Sequence, residues 1–367
     1  MAKILKAPGK YVQGQGELDN IGVHVKKIGT SFAVLLSENG RKRFEDRIAS
    51  SLSEAGYPAA FFTFNGECSL EEIDRLCEEV GKIDCDCVIA VGGGKILDTG
   101  KAVAVKLDKA AVIVPTVASN DAPCSGLSVV YDDKGRVCKV IFSKHNPDLV
   151  LVDSEVIMHA PKRLLAAGIG DALATCYETR AAAATKAVNM VRGTATRTAV
   201  ALSDTCLQIL LLYGQTAIRD LEQGICSDAL EDVIEATILL SGVGFESGGL
   251  AVAHAFHDSV GFLPETHASY HGEKVAFGTM VQLMLEHKKN GAVTNEELEK
   301  IGRFCKDLGL PVTLAEIGIT EDVCEKVAKI AKGVCHPKQF AKNMPFPVSE
   351  AEIINSIFAA DELGKRL

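Results

Sequence analysis

Cys87-Val88-Ile89-Ala90-Val91 runs directly into Gly92-Gly93-Gly94-Lys95, and a helical pattern opens near Asp98. Five consecutive apolar residues closed by glycines read as a short strand buried on both faces. Glycine lets a backbone approach a pyrophosphate closely, and the helix that follows offers unpaired N–H groups to an anion. A bare tight turn is the alternative reading. The loop is not a P-loop, because Gly94-Lys95 is followed by Ile96, and it is not a GxGxxG fingerprint in the first βαβ unit.

Outward from this stretch the chain alternates in type. Ser31 to Leu36, Ala59 to Phe64, Ala110 to Val114 and Leu149 to Asp153 read as further strands. Arg41 to Ala55 and Ser69 to Gly81 read as helices between them, the second opened by a capping box of Ser69 with Glu72. Gly126 to Tyr131 and Val137 to Phe142, separated by Asp132-Asp133-Lys134-Gly135, read as a hairpin. Strands alternating with helices predict a largely parallel sheet covered on both faces.

Beyond Pro161 the regime changes. Arg163–Ala187, Thr194–Leu221, Ser227–Ser241, Glu273–His287, Asn295–Leu308, Thr320–Ala331 and Ser349–Gly364 all carry helical periodicity. A second capping box, Ser349 with Glu352, opens the last. The fold expected is an α/β N-terminal domain with a largely parallel Rossmann-like sheet, residues 1–160. An all-helical C-terminal domain, residues 161–367, follows it.

Composition narrows the function classes. The chain has 367 residues, of which 47% are hydrophobic and 24% charged, enough to bury a large core without staples. Its formal net charge is −9 and no basic block stands out, so nucleic acid is a poor partner. No apolar run reaches the roughly 20 residues of a membrane span, and no signal peptide opens the chain, so the expected location is cytoplasmic, with no membrane partner. Twelve cysteines without a CxxC pair read as free structural thiols in a reducing compartment.

Two further clusters carry chemistry. Pro115-Thr116-Val117-Ala118-Ser119-Asn120-Asp121-Ala122-Pro123 follows a buried strand and can wrap a cofactor while holding Asp121 over a reacting group. His254, His257, His267 and His271 crowd into eighteen residues, and imidazoles joined by a carboxylate such as Asp171 suit zinc, iron or manganese. The local sequence does not choose which histidines would bind.

Long strings across nearly the whole chain resemble the glycerol dehydrogenases. These form a branch of the metal-dependent, iron-containing alcohol dehydrogenases, whose fold dehydroquinate synthase shares. The strings include Pro8-Gly9-Lys10-Tyr11-Val12-Gln13-Gly14, Gly92 to Lys95 with Asp98-Thr99, Asp121-Ala122-Pro123, and Asn146 to Asp153. Gly170-Asp171-Ala172-Leu173-Ala174, Leu240 to Leu250 and His271 to Thr279 complete the set. The resemblance implies a dehydroquinate synthase-like fold with an NAD-binding first domain. It also implies a metal, Zn²⁺ with Fe²⁺ or Mn²⁺ as alternatives, on Asp171, His254 and His271. Asp121 matches the residue that contacts the polyol. Gly93, Gly94, Lys95, Asp98, Thr116, Ser119, Ser125, Leu127 and Tyr131 match cofactor-contacting positions.

The activity implied is reversible, NAD-dependent oxidation of glycerol to dihydroxyacetone, with a metal stabilising the alkoxide and hydride passing to the nicotinamide. The partners implied are a small polyol or hydroxyketone substrate and further copies of the chain in a homo-oligomer, often an octamer. Departures from the family pattern are Ser37 in place of Asp at the end of the first strand, Asn120 in place of Thr, and Asp258-Ser259 in place of Asn-Gly. Loss of the Ser37-position carboxylate weakens the case for NAD over NADP. The alternatives are an NAD(P)-dependent enzyme for another small diol, hydroxyketone or aldehyde, and a non-catalytic binding protein that kept the fold.

Overall fold

The Cys87–Val91 run lies at the middle of a six-stranded, all-parallel sheet, flanked on both sides. The computed structural model describes residues 1–133 and 135–367. The chain divides into two compact units. The first takes Lys6–Ala160 with Gln223–Cys226, and the second takes Met1–Leu5, Pro161–Glu222 and Ser227–Leu367.

In the first unit β1 is Tyr11–Gly14, α1 Ile21–His24, β2 Phe32–Ser37, α2 Glu38–Glu54, β3 Ala59–Phe64 and α3 Leu70–Val80. Then come β4 Cys87–Gly92, α4 Gly94–Leu107, β5 Ala110–Pro115, β6 Leu127–Tyr131, β7 Val137–Phe142, β8 Leu149–Asp153 and α5 Ser154–Met158. The strand order β1-β8-β5-β4-β2-β3 puts the most apolar strands inside and the short β1 at an edge. Val34, Leu36, Ile89, Val91, Val112, Val114 and Leu151 pack with the apolar face of α2 into one core. Strands β6 and β7 form the expected antiparallel hairpin, with an irregularity at Val130/Tyr131. Lys134 of its turn lies outside the described residues.

Several local expectations shift. Helix α4 starts at Gly94 rather than near Asp98. Gly92 makes the whole turn alone at φ 152°, a conformation open to glycine, and extended Gly93 is already the N-cap. Ser349 and Glu352 form the full capping box. At Ser69 only half of one forms. Its hydroxyl accepts from Glu72 N–H, but the Glu72 carboxylate is taken by Arg75 and the Asn65 amide. Strand β1 was not anticipated, since four residues ending in glycine carry little strand signal.

The second unit is helical throughout: α6 Lys162–Thr185, α7 Arg197–Glu222, α8 Asp228–Glu235, α9 Ser241–Gly248 and α10 Val252–Val260, then α11 His271–Asn290, α12 Asn295–Asp307, α13 Val323–Val334 and α14 Glu350–Arg366. A π-helical turn, Ala236–Leu240, joins α8 to α9. The sequence did not predict α9 or α10; in α9 the glycines at 242, 244 and 248 depress helix propensity. Burial on every side overrides it here: every residue of α9 is buried. Among the described residues no single helix is long and apolar enough to cross a membrane; the α8–α9 run and α10 meet that test only jointly, across a 98° bend.

Helices α6 and α11 pass in backbone contact. A Cβ on Gly170 would lie 2.6 Å from the Gly272 carbonyl oxygen, and one on Gly272 would lie 1.8 Å from that of Ala167. These two glycines adjoin Asp171 and His271, so the close approach brings those side chains within reach of each other. Arg163, at the start of α6, clamps Glu273 in the first turn of α11 with two hydrogen bonds of 2.5 and 2.8 Å.

Candidate metal centre and cofactor cradle

Asp171 is fully buried in the middle of α6, where an unpaired carboxylate would cost several kcal/mol. It is answered by two imidazoles. His271 Nε2, from the first residue of α11, lies 3.1 Å from Asp171 Oδ1. His254 Nε2, from the first turn of α10, lies 3.5 Å from the same oxygen. One ligand atom from each of the three side chains falls within 4.8 Å of the others.

The far nitrogens of both rings are occupied. His254 Nδ1 sits 2.5 Å from Glu178 Oε2, a carboxylate fully buried two turns along α6 from Asp171. His271 Nδ1 sits 3.0 Å from His257 Nε2, and His257 Nδ1 sits 3.2 Å from Asp258 Oδ1. An ionised carboxylate only accepts, so His257 Nδ1–H donates to Asp258. His257 Nε2 then accepts from His271 Nδ1–H. Both ligand histidines are thereby left presenting Nε2 to Asp171, acceptor facing acceptor. Such an arrangement calls for a cation between them, a proton or a metal, and two imidazoles with one carboxylate are a three-ligand set of the catalytic type.

The charges agree. Burial opposes protonation of His254, but the Glu178 carboxylate and hydrogen bonds to Asp171 and Glu178 outweigh it and hold the ring well above the ordinary histidine range. Burial likewise opposes ionisation of Asp171, yet His271 and His254 together hold its carboxyl well below the usual carboxylate range. Burial, and then His271, push His257 down to about 3, so it is neutral at pH 7.

The structure therefore selects among the four histidines left open by sequence: His254 and His271 join Asp171, and His257 backs His271. His267 is exposed and hydrogen-bonds to the Gly261 carbonyl. Sequence reasoning missed Glu178. Its spacing of seven from Asp171 places both on one helical face, a signal available from periodicity alone.

In the first unit the residues matched to a cofactor gather at the carboxyl ends of β4 and β5. Gly93 caps α4, and Gly94 and Lys95 form its first turn. Lys95 Nζ pairs with Glu67 at 2.6 Å and lies 5.9 Å from the centre of the Tyr131 ring. Thr116 N–H bonds to the Gly92 carbonyl, and Ser119 is half-buried in the loop after β5. Asp121 is buried at the start of the short helix Ala122–Cys124.

Asp98 is not open to a ligand on all sides. Its Oδ2 accepts from Val129 N–H at 2.9 Å, and its Oδ1 lies 2.9 Å from Lys101 Nζ. Buried Lys101 also donates to the carbonyls of Ala122 and Leu127 at 2.9 and 2.6 Å and approaches Ser125 Oγ at 3.5 Å. Lysine 101 thus ties Asp98 to the segment that carries Ser125 and Leu127. Ser37 ends β2, and its hydroxyl caps α2 by accepting from Gly40 N–H at 3.1 Å.

Comparison with known proteins adds a family to this geometry. Residues 8–154 match the sequence profile of iron-containing alcohol dehydrogenases. The chain is 43% identical to the glycerol dehydrogenase of Pseudomonas putida over 365 residues, covering 100% of this chain and 99% of that one. It is 40% identical to the glycolaldehyde reductase of Halobacterium salinarum, covering 100% and 99%. Among solved structures, glycerol dehydrogenase from Schizosaccharomyces pombe superposes with a TM-score of 0.94 at 36% identity, covering 99% of this chain and 91% of that one.

Proposed function

This chain belongs to the glycerol dehydrogenase family within the iron-containing alcohol dehydrogenases, and it is an enzyme of that family; from that premise we propose that it oxidises glycerol to dihydroxyacetone with NAD, reversibly, at a Zn²⁺ held by Asp171, His254 and His271. The observation that carries the reading is the convergence of those three side chains with both histidine tautomers set to offer Nε2. Nitrogen-rich ligation suits zinc, with Fe²⁺ and Mn²⁺ as the competing occupants.

Bound NAD would supply the acceptor for the hydride that leaves the carbinol carbon, and the hydroxyl proton would pass to solvent. A divalent metal supplies Lewis acidity that lowers the hydroxyl pKa. Asp171 contributes the anionic ligand, and Glu178 and His257 hold the ring orientations. By its family position Asp121 would contact the polyol. The N–H groups of Gly93, Gly94 and Lys95, at the start of α4, would hold the pyrophosphate of NAD. Asp98, fixed by Lys101, holds β6, where Leu127 and Tyr131 would border the bound NAD. The twelve free cysteines suit a reducing, cytoplasmic setting.

The test is reduction of NAD by glycerol, followed by the absorbance of the reduced nicotinamide, on protein stripped with a chelator and reloaded. Turnover should vanish on stripping and return with zinc. Turnover that survives complete removal of metal would overturn the reading. A second reading, reduction of a small hydroxyaldehyde, draws on the relative named glycolaldehyde reductase; a kcat/KM for glycolaldehyde well above that for glycerol and dihydroxyacetone would favour it.

Ser37 bears on cofactor choice. It supplies a helix cap but no carboxylate for a ribose diol. Ser37→Asp keeps the cap, since Asp caps as well as Ser. It adds a charge-assisted acceptor worth ~1.5–3 kcal/mol, so the NAD-over-NADP ratio of kcat/KM should rise by about tenfold or more. An unchanged ratio would remove position 37 from cofactor selection.

A further inference from the structure

Helix α10, which carries His254, has no cap of its own. Its N-cap is Ala251, whose side chain accepts nothing. The four N–H groups left over at such a terminus are all satisfied by other helices. Glu178 Oε1, from α6, accepts from Ala251 N–H at 2.8 Å and His254 N–H at 2.9 Å. Gln282 Oε1, from α11, accepts from Val252 N–H at 2.9 Å and Ala253 N–H at 3.2 Å. Both side chains are fully buried. Glu178 then spends its other oxygen on His254 Nδ1 at 2.5 Å.

We infer that Glu178 is a positioning residue for the metal ligand: one buried carboxylate both anchors the helix end that carries His254 and fixes that ring with its proton on Nδ1, leaving Nε2 to bind. The inference rests on the metal-centre reading above. The chemistry turns on donors and acceptors. A carboxylate can accept at both oxygens, as this geometry requires. An amide of the same shape cannot. In Glu178→Gln the amide oxygen keeps the two backbone N–H bonds, because turning it round would set its NH₂ against two donors. Its NH₂ therefore faces Nδ1, which must accept, and the ring proton moves to Nε2. The ligand is then blocked with its shape, burial and backbone cap retained. A residue that served only as a cap would tolerate Gln and suffer from the shorter Asp, whereas tautomer control gives the opposite order.

The test uses full-length apoprotein, with Zn²⁺ alone titrated against a chelating indicator, without substrate or dinucleotide. Glu178→Gln should bind zinc about 10–100-fold more weakly than wild type, with an apoprotein melting temperature close to wild type. Glu178→Asp, still acceptor-only, should bind zinc more tightly than Glu178→Gln. Zinc affinity of the Gln variant equal to wild type, or the reverse order of the two variants, would overturn the inference. A measurement independent of either variant is the nitrogen chemical shifts of histidine in zinc-loaded wild type. They should place the His254 proton on Nδ1, and a proton on Nε2 overturns the assignment. Wild-type protein that takes up no zinc overturns the metal reading itself, and this inference with it.

Discussion

Alanine at His271 is expected to cut kcat/KM for glycerol by about a thousandfold or more, equivalent to roughly 4 kcal/mol of lost transition-state stabilisation. The reason lies in the arithmetic of the site. Asp171 is fully buried and answers two imidazoles; with one removed, a three-ligand set falls to two and a buried charge loses half its compensation. His271 is the less buried of the two histidines, so its loss leaves the least empty space. His257 is not positioned to replace it, because its Nε2 addresses His271 Nδ1 rather than Asp171. Metal content and turnover are measured on the same preparation, beside His254→Ala. Both variants should lose bound metal and activity together. Full metal content with near-normal turnover in either one would remove that histidine from the ligand set.

Replacing Lys101 by methionine should produce the largest loss of stability in the first unit, about 3–5 kcal/mol. Methionine fills much the same volume, so the loss is electrostatic rather than a cavity. Lys101 is 2% exposed, and its ammonium meets the Asp98 carboxylate and the carbonyls of Ala122 and Leu127. The contact with Asp98 Oδ1 is close but poorly aligned for a hydrogen bond, which makes it mainly an ion pair. Removing the cation leaves a buried carboxylate without its partner. At roughly 2–4 °C per kcal/mol for a unit of this size, the melting transition should fall by about 6–20 °C. Adding Asp98→Asn removes the stranded charge and should restore part of the loss, although Val129 N–H then meets a neutral acceptor. A double variant no more stable than Lys101→Met would refute this assignment of the energy. The single variant should also raise KM for NAD, since Ser125 and Leu127 are held through the same ammonium.

Much of the fold was legible because the decisive signals are local. Cys87–Val91 and Ala110–Val114 are short continuous apolar runs, and such runs persist only where helices cover both faces of a sheet. The Ser349–Glu352 capping box lies within four residues and formed in full. Its counterpart at Ser69 has the same spelling, yet Glu72 is drawn to Arg75 and the Asn65 amide. A four-residue pattern cannot register that competition. Helix α9 was hidden for a related reason, since propensity counts its glycines as breakers while close packing needs them small. At the candidate site the residue types were legible but not their pairing. His254 and His257 share a helix at a spacing of three, and no local rule ranks one above the other. Resemblance to a family named His254; the direction of each ring gives the physical reason.

What the sequence by itself determined is therefore what neighbours within a few residues control: the alternation of strand and helix, the turn at Gly92, most helix spans, and the supply of imidazole and carboxylate. Tertiary structure alone decided the strand order, including β1 beside β8, whose partners Tyr11 and Val150 are far apart in the chain. It also decided that Glu178 and Gln282 cap a helix belonging to neither, and that Gly170 and Gly272 let Asp171 meet His271. These contacts join groups distant in sequence. Their energies depend on burial and on the satisfaction of donors and acceptors, which exist only once the helices have packed.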